Sequence, residues 1–192
     1  MSNKKERFKI VRKNFGKGKH AKVSIVKRKS DKKLFIWKRP KSDNPDHQRV
    51  FLVEHERARV WREIGVSEVH VKWCPDNLSL LKTYVKGYTL AEKLKKDRHF
   101  FSKTKRRSVK ALRKLFRYLV DSEFWVRDLS TKNLVFDGDK WHVIDSSDIF
   151  KMENRSATKQ KYKDELVQMW HMKHKKLSSS DIRHIESFFD SI

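Results

Sequence analysis

The sequence predicts an α+β protein of two lobes, with strands and one helix first and mainly helices after. Three observations carry that prediction. Short apolar runs parted by turn residues fill the first part of the chain. Apolar residues at helical spacing fill the second part. A length of 192 residues is enough for a single domain with a real core.

Each element has its local reason. Phe8 to Val11, Val23 to Val26 and Leu34 to Trp37 read as strands, separated by Gly16-Lys17-Gly18 and Lys29-Ser30-Asp31-Lys32. Asn44 suits an N-cap with Pro45 at the first helical position, and Gly65 suits the residue after a helix that runs to about Ile64. Val66 to Trp73 and Leu78 to Val85 read as strands around the turn Cys74-Pro75-Asp76-Asn77, and Thr89 to Lys96 as a short helix. Ser102 is the expected cap of a long helix carrying Val109, Leu112, Leu115, Phe116 and Leu119. Leu134-Val135-Phe136 and His142-Val143-Ile144 form the expected hairpin around Asp137-Gly138-Asp139. Two helices close the chain, one over roughly 161–175 and one after the start Ser178-x-x-Asp181.

Composition excludes several classes. Hydrophobic residues reach 37%, with 12 Phe and 6 Trp, so the chain is not a disordered basic tail. Cys74 is its only cysteine, which excludes an internal disulfide and a cysteine-based zinc site. No apolar run reaches the ~20 residues of a membrane span. Met1 to Arg12 is basic with no apolar stretch behind it, so the cytoplasm is the expected compartment. The 48 Lys and Arg outnumber 24 Asp and Glu, and the net charge of +24 favours anionic partners. Nucleic acid is argued against. The cations spread from Lys4 to Lys176, and no zinc finger, ribonucleoprotein motif or basic zipper is present.

The residues with the strongest chemical signal are Val126-Arg127-Asp128-Leu129-Ser130-Thr131-Lys132-Asn133. They match H-R-D-L-x-x-x-N at every fixed position but the first. An Asp there can orient an acceptor hydroxyl and take its proton, and the Asn can hold Mg²⁺. Asp145 follows at the end of an apolar strand, where a metal-binding Asp belongs. Taken singly, both aspartates read as turn or strand-end residues; with a hairpin between them they read as a pair. Gly16-Lys17-Gly18-Lys19-His20-Ala21-Lys22-Val23 has the form G-x-G-x-x-A-x-V between strands, where glycines let backbone N–H groups approach phosphates. Lys38 ends the third strand and can bind phosphates if a carboxylate holds it. Glu54 is the first choice for that carboxylate and Glu56 the reserve. Backbone groups from Thr83 to Val85, between a strand and a helix, suit an adenine edge.

These motifs, in this order over roughly residues 8–148, resemble the protein-kinase-like superfamily. The resemblance implies a minimal two-lobed kinase-like fold, with an N-lobe at 1–82, a hinge at 83–86 and a truncated C-lobe at 87–192. It also implies ATP and Mg²⁺ as cofactors and transfer of the γ-phosphoryl to a hydroxyl. Carried over, Lys38 binds phosphates and Glu54 positions Lys38. Gly16, Gly18, Val23, Thr83 and Val85 contact the nucleotide, Asp128 is the base, and Asn133 and Asp145 hold metal. The chain departs from the family at Val126 for His, Ala21 for the third glycine and Ser146-Ser147 for Phe-Gly. It also departs at Lys82, near a position usually apolar, and lacks an A-P-E motif.

The chain is similar both to lipopolysaccharide-core sugar kinases of bacteria and to minimal bacterial protein kinases. The first similarity rests on Glu54 to Val71, Lys163-Asp164-Glu165-Leu166, Ser180-Asp181 and Phe188-Phe189. The charge tilts the expectation toward an anionic sugar-lipid acceptor, with peripheral contact to an anionic inner-membrane face. The alternatives are a Ser/Thr protein kinase, including one secreted as an effector, and a non-catalytic pseudokinase whose basic surface binds nucleic acid or a partner. Lys103-Thr104-Lys105-Arg106-Arg107 is the expected contact for an acidic acceptor. His171 and His174 read as surface histidines, and Trp125, Trp141, Tyr162, Leu166, Met169 and Trp170 as core.

Overall fold

The computed structural model describes residues 7–17, 21–42, 45–63, 69–75, 78–97, 99–127, 129–145, 149–174 and 178–192. Side chains at 16–17, 46–48 and 169–174 lie outside that description, and with them Met169, Trp170, His171 and His174. The protein is α+β, with a five-stranded antiparallel sheet followed by helices mixed with small sheets. It divides into two compact units, with the division between Tyr84 and Val85 on the main path of the chain.

The first unit holds strands β1 (Phe8–Lys17), β2 (Ala21–Arg28), β3 (Leu34–Pro40), β4 (Val71–Cys74) and β5 (Ser79–Thr83), in the order β1-β2-β3-β5-β4. Helix α1 (Pro45–Glu63) packs on β4 and β5. Phe51 and Trp61 are buried on its inner side, while Glu56 is exposed. The alternation of β3 and β5 sets the face that α1 covers. Ile36 lies opposite Lys82 and Lys38 opposite Leu80, so these four residues share one side of the sheet.

The second unit holds β6 (Tyr88–Thr89), α2 (Leu90–Lys96), α3 (Arg107–Asp121), β7 (Phe124–Val126), β8 (Leu134–Phe136), β9 (Trp141–Val143), β10 (Ile149–Lys151), α4 (Arg155–His174) and α5 (Ser179–Asp190). Its core is aromatic. Phe116 of α3 packs edge-on against Tyr162 at 5.4 Å and Phe189 at 5.2 Å between centroids. Phe101 meets Phe188 at 5.2 Å. Such pairs contribute about 0.5–1.5 kcal/mol each beyond the area they bury. Trp141 is buried and its Nε1 donates to the Ser108 carbonyl at 2.7 Å, while Trp125 stacks on the exposed Phe150. Thr89 and Ser178 each begin a helix with a capping box, closed by Glu92 and Asp181.

Two glycines have steric reasons. A Cβ on Gly87 would lie 2.0 Å from the Phe136 carbonyl oxygen, so this crossing of two backbones admits no side chain. Gly138 sits in the β8–β9 turn at φ +108°, beside Asp137, whose Oδ1 accepts from the N–H groups of Asp139 and Lys140.

Several boundaries differ from the sequence-based expectation. The β1–β2 ladder continues through Gly16↔Val23 and Lys17↔Lys22, so Gly16 and Lys17 are strand, not turn. β4 begins at Val71; of the expected strand from Val66, residues 66–68 lie outside the described residues and Val69 and His70 form none. Ser102 caps nothing. Its Oγ donates to the His99 carbonyl, and α3 starts at Arg107 after an Arg106 cap with no side-chain bond. α4 starts at Arg155, six residues before the expected place, because Asn154 Oδ1 accepts from the Ala157 N–H. The expected cap Asn44 and the glycines Gly18 and Gly65 lie outside the described residues.

Candidate functional site

The first unit builds a charged cluster between its sheet and α1. Lys38 Nζ donates to Glu54 Oε1 at 2.7 Å. Glu56 is offset from Glu54 by about 200° around the helix and faces solvent. Of the two carboxylates weighed for Lys38, the one facing the sheet is therefore Glu54. Val23, whose side chain is buried, lies opposite Lys38 across the β2–β3 ladder.

The same carboxylate oxygen takes a second cation. Lys82 Nζ donates to Glu54 Oε1 at 2.5 Å. The three side chains are little exposed: 7% for Lys82, 14% for Lys38 and 15% for Glu54. Burial by itself pushes the Glu54 carboxyl up. The charge of Lys82, then that of Lys38, and the hydrogen bonds from both outweigh it and bring the group down to about 2. Sequence reasoning noted Lys82 as an unusual residue at its position and missed its role as a partner. The available signal was its spacing of two from Leu80, which puts both on the helix-covered face.

Around the expected adenine-binding segment, the backbone is partly engaged. The Thr83 N–H donates to the His70 carbonyl at 2.9 Å and the Tyr84 N–H to that of Leu34 at 3.2 Å. The Thr83 amide is thereby taken by the sheet, which removes it as an adenine donor. Val85 follows, outside any strand. The ring of Phe15 on β1 meets that of Tyr84 edge-on at 6.1 Å, an aromatic pair that sequence reasoning did not identify.

The second unit positions the segment around residue 128. Asp128 itself lies outside the described residues, as does Gly18 in the glycine-rich turn. Its neighbours are firmly held: Val126 and Leu129 are buried, and so is Thr131, whose carbonyl accepts from the Ala91 N–H of α2 at 3.0 Å. The Tyr162 hydroxyl, from α4, accepts from the Val126 N–H at 3.1 Å and donates to the Phe124 carbonyl at 2.8 Å. Burial pushes the Tyr162 phenol well above its ordinary range, so it remains a donor. At the first position of the H-R-D-L-x-x-x-N pattern, a buried Val126 stands in place of His and is tethered through its backbone.

Asn133 and Asp145 flank the same end of the β8–β9 hairpin. Leu134 pairs with Val143, and one step further the Ile144 N–H donates to the Asn133 carbonyl at 2.9 Å. Both residues are half-buried. Their side chains offer oxygen donors, which fit a hard cation such as Mg²⁺. Among the described residues no cluster of three His, Cys, Asp or Glu is placed to hold a metal; the pair here is one amide and one carboxylate.

The basic run leading into α3 is paired with acids outside it. Lys103 and Arg106 both bond Asp97, and Arg107 bonds Asp139. That run is therefore a set of local ion pairs as much as a cationic surface. Among the described residues no helix is long and apolar enough to cross a membrane. Compared with protein-family models and with curated proteins, the chain finds no match.

Proposed function

We propose that this protein is an ATP-dependent kinase of the protein-kinase-like fold that transfers the γ-phosphoryl of ATP to a hydroxyl. The observation that carries the reading is Lys38 held on Glu54 across the sheet–helix contact. A lysine fixed by a carboxylate within a strand is a preformed contact for nucleotide phosphates. Asn133 and Asp145 at one hairpin end would hold Mg²⁺, which neutralises phosphate charge when bound. Asp128, between the buried Val126 and Leu129, orients the acceptor hydroxyl and takes its proton. The net charge of +24 favours an anionic acceptor, and a lipopolysaccharide-core sugar fits best.

The test measures Mg²⁺·ATP binding by calorimetry and melting, then transfer of labelled γ-phosphate to core oligosaccharide and to protein. Ligand at about a hundred times its Kd stabilises the native state by about 2.7 kcal/mol, so the melting temperature rises. Asp128→Ala keeps that shift and loses transfer. No shift and no heat at millimolar nucleotide would sink the reading, and transfer to protein alone would replace the sugar acceptor.

A further inference from the structure

We propose that Lys82 is a positioning residue: it fixes the Glu54 carboxylate from the sheet side and thereby sets where the Lys38 ammonium sits. This rests on the reading of Lys38 as the phosphate-binding lysine. The contact is short, at 2.5 Å, and its donor is the least exposed of the three side chains. Lys82 lies on β5 with Leu80 and Leu81 buried before it, opposite Ile36. Burying an ammonium there is costly unless a carboxylate meets it. An apolar side chain would fill the site at lower cost, and it would lack the charge on Glu54.

The geometry separates the two lysines. Lys38 and Lys82 approach one oxygen of Glu54 from adjacent antiparallel strands, offset by two residues along the ladder. With Lys82 holding that oxygen, Lys38 can turn part of its donor capacity to a phosphate without releasing the carboxylate. An ammonium has three N–H donors, so sharing is within its means. Two lysines on adjacent strands hold the Glu54 carboxyl down, Lys38 from β3 and Lys82 from β5: the charge of Lys82 acts more strongly than that of Lys38, and the hydrogen bond from Lys38 more strongly than that from Lys82.

The experiment compares wild type, Lys82→Met, Lys38→Met and Lys82→Arg in two measurements. One is the titration of the ¹³C-labelled Glu54 carboxyl, assigned with Glu54→Gln. The other is kcat and KM for ATP. Lys82→Met should move the Glu54 midpoint up toward the ordinary carboxylate range, as Lys38→Met does. It should raise KM for ATP about tenfold, the scale on which losing an orienting partner acts, with a smaller change in kcat. Lys82→Arg should restore both. A purely structural role would lower the active fraction and so kcat, leaving KM in place. Should Lys82→Met fail to fold, Lys82→Gln keeps a donor without the charge and makes the same comparison. An unmoved Glu54 midpoint overturns the proposal, and so does a moved midpoint with unchanged KM. A wild type that neither binds nor turns over ATP overturns the kinase reading instead, and the titration still reports whether Lys82 holds Glu54.

Discussion

Glu54 is a carboxylate with two ammonium neighbours, and its protonation is coupled to folding. Its folded pKa, about 2, lies below the ordinary 4.5. The folded state therefore favours the ionised form. Its contribution to stability is complete above about 4.5 and disappears as pH falls through about 2. Glu54→Gln removes the charge from a site only 15% exposed, at a cost of about 3 kcal/mol near neutral pH. The measurement is denaturant unfolding of wild type and Glu54→Gln from pH 7 downward. The gap between them should narrow below pH 4.5 as Glu54 takes up its proton; parallel curves would show that the carboxylate carries no such linkage. Part of this cluster was readable in the sequence. Helical periodicity separates Glu54 from Glu56, and Lys38 directly follows the apolar run Leu34 to Trp37, although β3 itself runs on to Pro40. The partnership of Lys82 depends on the β3–β5 register, which brings Ile36 opposite Lys82 from two strands that α1 and β4 separate in the sequence.

At the scale of elements, the segment holding Asp128 depends on a helix that follows it in the chain. Tyr162 on α4 bonds both ends of β7, as acceptor from Val126 and donor to Phe124. Tyr162→Phe leaves the buried Val126 N–H without its hydroxyl partner, which costs about 1–3 kcal/mol. Amide exchange at Val126 should quicken in that variant, and kcat should fall more than KM for ATP because Asp128 is two residues on. Unchanged protection at Val126 would show that the β7–β10 pairing alone holds the strand. Elements with local signals were legible: the β8–β9 hairpin from Asp137-Gly138, and α5 from Ser178 and Asp181. β6, β7 and β10 were not. Each has two or three residues, and each finds its partner far along the chain, as Phe124 does with Lys151. Tertiary pairing creates such strands, and no periodicity in so short a run announces them. The start of α4 was missed because Asn154 caps it before any apolar stripe begins.

For the whole molecule, charge sets two responses to salt with opposite signs. Cations outnumber anions two to one, 48 against 24, so the folded chain repels itself. Salt screens that repulsion and also weakens the exposed ion pairs, and the balance follows from magnitudes. Pairs such as Arg59–Glu63, Arg107–Asp139 and Arg155–Asp121 are more than half exposed on both sides and contribute about 0–1 kcal/mol each. The surplus of +24 acts over ~30 Å at about 0.01 M salt, a reach that covers the molecule, and over only ~8 Å at about 0.15 M. Repulsion is therefore the larger quantity removed, and the melting temperature should rise across that range. Affinity for an anionic acceptor should move the other way, because the long-range attraction that draws it in is the field that salt removes. ATP should respond less, since Lys38 and Glu54 are both at least 85% buried and are screened less than surface charges. Melting curves and the two KM values, measured over the same salt series, read all three at once. A melting temperature that falls with salt would mean that the ion pairs outweigh the repulsion. An acceptor KM that tracks the ATP KM would mean that the surplus charge does not recruit the acceptor, and the preference for an anionic sugar would give way to a neutral protein hydroxyl.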